Sequence, residues 1–340
     1  MLLAIETSCD ETALAICREG SYLPIAERIA SQIDLHREYG GVVPELAARQ
    51  HLQALPVLLK SIFSEVDCCA NDISAVAVTV GPGLQGCLLV GVSFAKAFCQ
   101  SLSIPLFPVH HIEGHIAAIR LSPDVKDVTY PSLALVVSGG HTMIVEISAF
   151  RDYRLLAETR DDAAGEAFDK IASLLKLPYP GGPSLSKLAE QGDHQKYSFP
   201  RAVAKDLASF SFSGLKTAVS RVVSQMKPDE LESTKADVAA SAQAAIVDAL
   251  VDKLFLNFDP AKHKSVILTG GVAANSLLRE KMLKRSDKVA VPLYIPPVKY
   301  CTDNAAMIAV IGTQLRANQD NAEFDLGARA RWPFSEAVTG

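Results

Sequence analysis

Residues Leu2–Cys17 read LLAIETSCDETALAIC: an apolar run, a turn rich in hydroxyls and acids from Thr7 to Thr12, and a second apolar run. The pattern returns at Leu133–Ile147, LALVVSGGHTMIVEI, with Ser138-Gly139-Gly140-His141-Thr142 as the turn. Each stretch reads as a strand, a turn offering hydroxyl and backbone N–H groups, and a returning strand, which suits phosphate contact. Asp10 and Glu11 in the first turn are therefore candidates for a phosphate-binding turn. A second pattern also occurs twice. The apolar strand Ile73–Val80 leads through Gly81-Pro82-Gly83-Leu84-Gln85-Gly86 into an apolar helix from Cys87 to Gln100. Val266–Thr269 leads through Gly270-Gly271-Val272-Ala273-Ala274-Asn275 into a helix from Ser276 to Lys284. Orphan N–H groups at a helix start after a glycine loop favour an anion, which makes Gly270 and Gly271 candidates too. The repeated order predicts an internally duplicated α/β protein, its two lobes facing one another across a cleft.

Neither glycine loop is a Walker A motif, since no Gly-Lys-Ser or Gly-Lys-Thr follows. Residues 81–86 have the spacing of a dinucleotide fingerprint but come late in the chain. They also lack an apt acidic residue about 20 positions on, so they read as a steric turn. The expected division is 1–130 for the first lobe, with part of a C-terminal helix returning to it. The second lobe is expected over 131–325, with a surface insertion near 185–235, and an irregular tail over 326–340.

The chain has 340 residues, enough for two domains of ordinary size. A net charge of −5 argues against a surface that coats nucleic acid throughout. Seven cysteines without a CxxC read as reduced thiols of a cytosolic protein. The N-terminus shows no basic region followed by a long apolar stretch, so neither a signal peptide nor a membrane span is expected. Helices are expected at Pro44–Ser64, at 161–177 and at Ala239–Phe255, with a turn at Tyr179–Pro183 and a surface insertion in 191–235 followed by a helix from Leu215.

The segment Pro108–Ala118, PVHHIEGHIAA, gathers three of the eight histidines. If it is helical, His111 and His115 share a face one turn apart, a spacing at which two imidazoles hold one metal ion. The HExxH protease signature is absent, because Ile112 follows His111 and Glu113 sits mid-segment. A distant aspartate is the usual supplement, and Asp303 in Cys301–Ala309 offers one; capping of the following helix by Thr302 or Asp303 is the alternative. His110 points about 100° away and reads as a supporting or packing residue. Asp169 reads either as a contact to ligand hydroxyls or as a solvated helix charge, and Asn275 either as a ligand contact or as a cap.

Eight runs in register resemble the bacterial TsaD family. They are Ile5–Thr12, His110–His115, Val137–Thr142, Asp162–Lys170, Tyr179–Pro183, Phe212–Lys216, Gly270–Asn275 and Cys301–Asn304. The resemblance implies an actin-like, two-lobed fold of the ASKHA ATPase superfamily and tRNA N6-adenosine threonylcarbamoyltransferase activity. Such enzymes pass the threonylcarbamoyl group of threonylcarbamoyl-adenylate, made by a separate synthase, to N6 of the adenosine just 3′ of the anticodon in tRNAs reading codons that begin with A. AMP leaves. By the same resemblance His111, His115 and Asp303 hold one divalent ion, Fe2+ or Zn2+, and the catalysis works through it. Val136, Val137, Ser138, Gly139, Gly140, Asp169, Gly182 and Asn275 are implied to hold the adenylate, and His141 is a candidate acceptor of the N6 proton. Archaeal and eukaryotic relatives carry a tyrosine in the strand before the SGG turn, where this chain has Ala134-Leu135-Val136-Val137. The implied partners are tRNA, an inactive paralogue (TsaB) and a P-loop ATPase (TsaE), in the cytoplasm and without a membrane. Pro44–Ser64 and Cys87–Gln100 are the candidate helices for the paralogue interface.

Three rivals make different demands. A small-molecule kinase on the same fold needs ATP turnover on a small acceptor, and its Mg2+ prefers oxygen ligands to paired imidazoles. A metallopeptidase needs a water-activating glutamate, for which Glu113 is poorly aimed. A non-catalytic scaffold of a tRNA-modifying complex needs partner binding without metal or adenylate.

Overall fold

The computed structural model describes residues 1–125, 128–201, 206–318 and 327–334. The chain divides into two units, Met1–Asp127 with Pro296–Gly340, and Val128–Ile295.

In the first unit the opening apolar run forms β1 (Leu2–Glu6), which turns back as β2 (Glu11–Cys17) in antiparallel register, Leu2 opposite Cys17 and Glu6 opposite Ala13. β3 (Pro24–Ser31) continues the meander. After the short α1 (Ile33–Arg37) comes α2 (Pro44–Val66), started by a proline whose missing N–H costs nothing in a first turn. β4 (Ala75–Gly81), α3 (Gln85–Leu102) and β5 (Leu106–His110) then add two strands parallel to β1, and β5 runs directly into α4 (His111–Ala117). The sheet order is β3-β2-β1-β4-β5. Leu3, Ile5, Val76 and Val78 face Leu55, Ile62, Val92 and Ala95 of α2 and α3 in one apolar core. The strands are buried on both faces, as central parallel strands covered by helices must be.

In the second unit β6 (Ser132–Val137), β7 (Thr142–Ala149) and β8 (Asp152–Thr159) repeat the antiparallel meander. Next come α5 (Ala164–Leu174), α6 (Gly181–Ala189), the two-residue β9 (Ser209–Phe210), α7 (Ser213–Gln225) and α8 (Pro228–Asn257). β10 (Ser265–Thr269), α9 (Ser276–Lys288) and β11 (Leu293–Tyr294) close the unit, with β10 parallel to both β6 and β11. The order is β11-β10-β6-β7-β8-β9. Without β9 it is the strand order of the first sheet with the same strand senses, so the duplication read from the turns is present in the topology.

α10 (Ala305–Ala317) packs on β1, β2, β4 and α4. It covers the sheet face opposite α2 and α3, and Gly312 makes this possible, since a Cβ there would lie 2.4 Å from the Ala77 methyl. α10 is thus the C-terminal helix expected to return to the first lobe, and residues 296–304 before it fall in the first unit as well. Of the expected tail, 326–340, only 327–334 lies within the described residues.

Three local expectations are corrected. The segment Tyr179–Pro183 is not all turn: α6 starts at Gly181, and Pro183 sits in its first turn, where proline is tolerated. The helix expected over 161–177 is Ala164–Leu174, because Asp161 and Asp162 are drawn into side-chain bonds outside it. The helix expected from Ala239 starts at Pro228, its added turns being mostly polar.

At Gly270 the backbone has φ +91°, and a Cβ would lie 2.4 Å from the Val137 carbonyl oxygen. Replacement of Gly270 by alanine is expected to lower stability by about 1–3 kcal/mol, read as a shifted urea midpoint. An unchanged midpoint would show that β10 and β6 do not need this close approach.

Candidate functional site

His111 and His115 fall on one face of α4, as the spacing predicts, and both rings are buried. Gly114 between them lets α10 come close, since a Cβ there would meet Ile308 Cδ1 at 2.9 Å. That approach brings in Asp303, two residues before α10. Its Oδ1 lies 3.1 Å from His115 Nε2 and 3.5 Å from His111 Nε2. Neither Thr302 nor Asp303 caps α10. Asn304 does, accepting from Met307 N–H at 2.9 Å while its Nδ2 donates to the Thr302 carbonyl at 2.8 Å. Asp303 is thereby left to face the histidines.

Behind His111 stands Glu6, at the end of β1 and fully buried. It accepts from Ser8 N–H at 2.5 Å and from Thr79 Oγ1 at 2.5 Å, and lies 3.2 Å from His111 Nδ1. Three donors compensate the cost of burying a carboxylate. With its Nδ1 proton held by Glu6, His111 turns Nε2 towards Asp303, the carboxylate–histidine arrangement that orients metal ligands. The three ligand atoms lie within 4.8 Å of one another, and the donor set is suited to one metal ion. Sequence alone assigns no role to Glu6 or Asn304. The signals were there: an acid ending an otherwise apolar strand, and an asparagine opening an apolar helix.

The charges around this cluster favour a cation. Burial pushes the His111 pKa down, but the carboxylates of Asp303 and Glu6 outweigh it and raise it to about 9. Glu11 is raised to about 9 by burial and by the neighbouring negative charges of Asp303 and Asp10. Asp10 and Glu11 thus lie in a turn rich in acids beside the cluster, Glu11 keeping its proton at neutral pH. The nearby Cys9 thiol is held well above its ordinary range by burial and the adjacent acids, so it is no thiolate nucleophile.

His110 ends β5 and caps α4, its Nδ1 accepting from Ile112 N–H at 3.2 Å. The glycine loop at 81–86 is filled by the chain itself. Leu84 N–H donates to the Ser8 carbonyl, and a Cβ at Gly83 would lie 2.6 Å from that oxygen. It is the steric turn expected.

In the second unit Val136 and Val137 are buried strand residues, able to offer only backbone, and Ser138–His141 is a tight turn. Ser138 N–H donates to the His141 carbonyl at 2.8 Å, and His141 N–H donates to Ser138 Oγ at 3.1 Å. Gly139 and Gly140 face open space. Parallel pairing of β6 with β10 sets this turn beside Gly270 and Gly271, Thr269 lying opposite Val136. Gly182 N–H donates to Asp169 Oδ1 at 3.1 Å, which brings those two residues together. Asn275 caps α9 through Leu278 N–H, and its Nδ2 donates to Ser186 Oγ and Gln243 Oε1. Beside it a cavity of about 390 Å³ is lined by Gly192, His194, Gln243, Ser276, Leu277 and Lys281. The Phe212–Lys216 run is tied to the loop before α5: Asp161 accepts from Ser211 Oγ, Phe212 N–H and Ser213 Oγ, and Asp162 pairs with Lys170 and Lys216.

The family described as TsaD, tRNA N6-adenosine threonylcarbamoyltransferase, matches residues 24–310. Curated proteins of that description from Syntrophus aciditrophicus and Bacillus cereus are 48% and 49% identical. The first alignment covers 99% of this chain and 98% of the relative, the second 92% and 90%. Among solved structures, component A of the Acidaminococcus fermentans (R)-2-hydroxyglutaryl-CoA dehydratase aligns with a TM-score of 0.55 at 13% identity, over 93% of this chain and 98% of that one. HypF of T. kodakarensis aligns at 0.62 and 14%, over 93% and 47%. These two likenesses concern the fold alone.

Without metal, His111 is charged up to about pH 9 in the folded chain against 6.5 for the ordinary group. Its raised pKa contributes stability that is complete below pH 6.5 and lost as pH climbs through 9. The urea midpoint of chelator-treated protein should fall over that window, and more shallowly in His111→Gln. Equal slopes for the two proteins would remove His111 as the source.

Proposed function

The chain belongs to the TsaD family of tRNA N6-adenosine threonylcarbamoyltransferases, and we propose that His111, His115 and Asp303 form the metal centre on which its reaction depends. The protein is an acyltransferase that forms threonylcarbamoyl-adenosine in tRNA. The donor in this reading is threonylcarbamoyl-adenylate. The bond from its carbamoyl carbon to the phosphate oxygen breaks, AMP leaves with the electron pair, a bond to N6 forms, and N6 gives up a proton. The observation that carries the assignment is the pair of imidazole Nε2 atoms facing one carboxylate oxygen, with His111 held from behind by the buried Glu6.

AMP is a good leaving group, so the demands on the site are alignment of a weak amine nucleophile and exclusion of water. When bound, the metal supplies Lewis-acid stabilisation of negative charge on a substrate oxygen. Two imidazoles and one carboxylate suit Fe2+ or Zn2+. The Ser138–Gly140 turn and the Gly270-Gly271 loop are assigned to the adenylate, offering backbone N–H groups to its phosphate, and Asp169, Gly182 and Asn275 to its nucleoside. Cys9 is held as a thiol, and Cys17, Cys87 and Cys99 are pushed up to about 12, which favours direct transfer over a covalent cysteine intermediate.

Replacing His111 or His115 with alanine should remove the metal and abolish transfer of labelled threonylcarbamoyl to unmodified tRNA, as a chelator should in the parent. Asp303→Asn should weaken the metal without unseating α10, whose cap is Asn304. Full metal content in both histidine variants would refute the assignment.

The tRNA-modifying assembly in this reading includes the paralogue TsaB and the ATPase TsaE. The α2 and α3 helices, packed on each other, leave Leu52, Val57 and Leu89 more than half exposed, which supports a protein partner there. A chain of net charge −5 gains little from counterion release by itself. Alone it is expected to bind tRNA weakly with little repeated turnover, and both should rise with the two partners and ATP. Tight, salt-sensitive tRNA binding by the isolated chain would overturn this.

A further inference from the structure

Residues 327–334, joined to no sheet, lie across the ends of β4 and β5 in the first unit. Arg329 N–H donates to the Val80 carbonyl at 2.7 Å, and Gly83 N–H donates to the Ala330 carbonyl at 3.2 Å. Gln85 holds the same stretch with both ends of its amide, Oε1 accepting from Ala330 N–H at 3.2 Å and Nε2 donating to the Ala328 carbonyl at 3.4 Å. The Arg329 guanidinium lies over the Trp332 ring, 4.8 Å from its centroid, and Trp332 packs against the apolar core of the unit. Position 81 is made for this contact. A Cβ on Gly81 would lie 2.0 Å from the Arg329 carbonyl oxygen, and backbone cannot step aside as a side chain can.

Gly81 is the register partner of His110 on β5, and the strap meets both. His110 Nε2–H donates to the Trp332 carbonyl at 3.0 Å, and the imidazole is enclosed by Trp332 and Phe334, with centroids at 4.8 and 5.4 Å. Nδ1 of the same ring accepts from Ile112 N–H. One neutral tautomer satisfies both bonds, so the ring joins the strap to the first turn of α4. The next residue is His111. A metal site tolerates only a few tenths of an ångström in its ligands, and α4 is a seven-residue helix with little rigidity of its own.

We propose that residues 328–334 form a strap that positions the metal-bearing helix α4 through His110. The strap fixes the start of α4 through contacts that do not involve Asp303, so that the C-terminal segment, and not β5 alone, determines where His111 stands. His110 is a positioning residue: both its ring nitrogens are engaged, by the Trp332 carbonyl and by Ile112 N–H. This inference rests on the metal reading of His111, His115 and Asp303.

The test measures Zn2+ affinity by competition with a chelating dye, beside circular dichroism and thermal unfolding of the metal-free proteins. Four proteins are compared: the parent, a chain ended after residue 326, Gly81→Ala and His110→Asn. Asparagine preserves an acceptor for Ile112 N–H and surrenders the bond to Trp332, so a residue that merely capped α4 would tolerate it. Each variant is expected to bind Zn2+ at least about 10-fold more weakly while unfolding cooperatively, the loss typical when a ligand's support is removed. Gly81→Ala combined with His110→Asn should lose no more than the worse single variant, because both break the same link. Parental affinity in His110→Asn, or additive losses in the double variant, would overturn the strap. Should the shortened chain fail to fold, the two point variants decide alone. No Zn2+ binding by the parent would instead sink the metal reading itself, a result distinct from the failure of the strap.

Discussion

One oxygen atom organises the first unit: Asp303 Oδ1, faced at 3.1 and 3.5 Å by the Nε2 atoms of His115 and His111. Two ring nitrogens turned on a carboxylate need a positive charge among them, and the surroundings are built to keep that need in place. Glu6 holds the far nitrogen of His111, and Glu6 itself is buried under three donors that leave it no other arrangement. Asp303 reaches the histidines because α10 lies close on α4, where the absent side chain of Gly114 leaves room for Ile308 and Met307. Asn304 takes the capping duty that Asp303 would otherwise perform. A substitution at any of these supports acts on the cluster without touching its ligands.

The two units show what duplication fixes and what it leaves free. Both sheets run as a meander followed by parallel strands, because the same apolar runs and glycine loops recur. Their loops have diverged. In the first unit the loop after β4 is filled by Ser8 and by the strap, and its glycines are explained by close backbone contacts. In the second, Gly139 and Gly140 stand open, whereas Gly165 and Gly270 are held by close backbone approach to Ser138 and Val137. Glycines that look alike in the sequence therefore mark packing in the loop after β4 and an available turn at Ser138–Gly140.

Charge divides the units further. Around the first turn burial and the negative charges of Asp10 and Asp303 together raise the pKa values of Glu11 and Cys9, while at His111 the charges of Asp303 and Glu6 overcome burial. A carboxylate-rich turn attracts a cation, whereas the second unit's turn offers hydroxyl and N–H groups with no acid in it. The pattern of strand, polar turn and strand is blind to this difference, which lies in the side chains and what surrounds them.

The sequence by itself determined the α/β class, the repeated strand–turn–strand order, the shared face of His111 and His115, and the family, because these rest on local periodicity and on motifs contiguous in the chain. It also marked the steric character of residues 81–86. The tertiary structure alone decided the rest. Cα neighbours far apart in sequence set Glu6 behind His111, chose Asn304 over Asp303 as the cap, placed residues 296–304 in the first unit, and laid residues 327–334 across Gly81 and His110. No local pattern encodes such pairings: an acid at the end of a strand or an irregular tail acquires its role from the atoms that folding places against it.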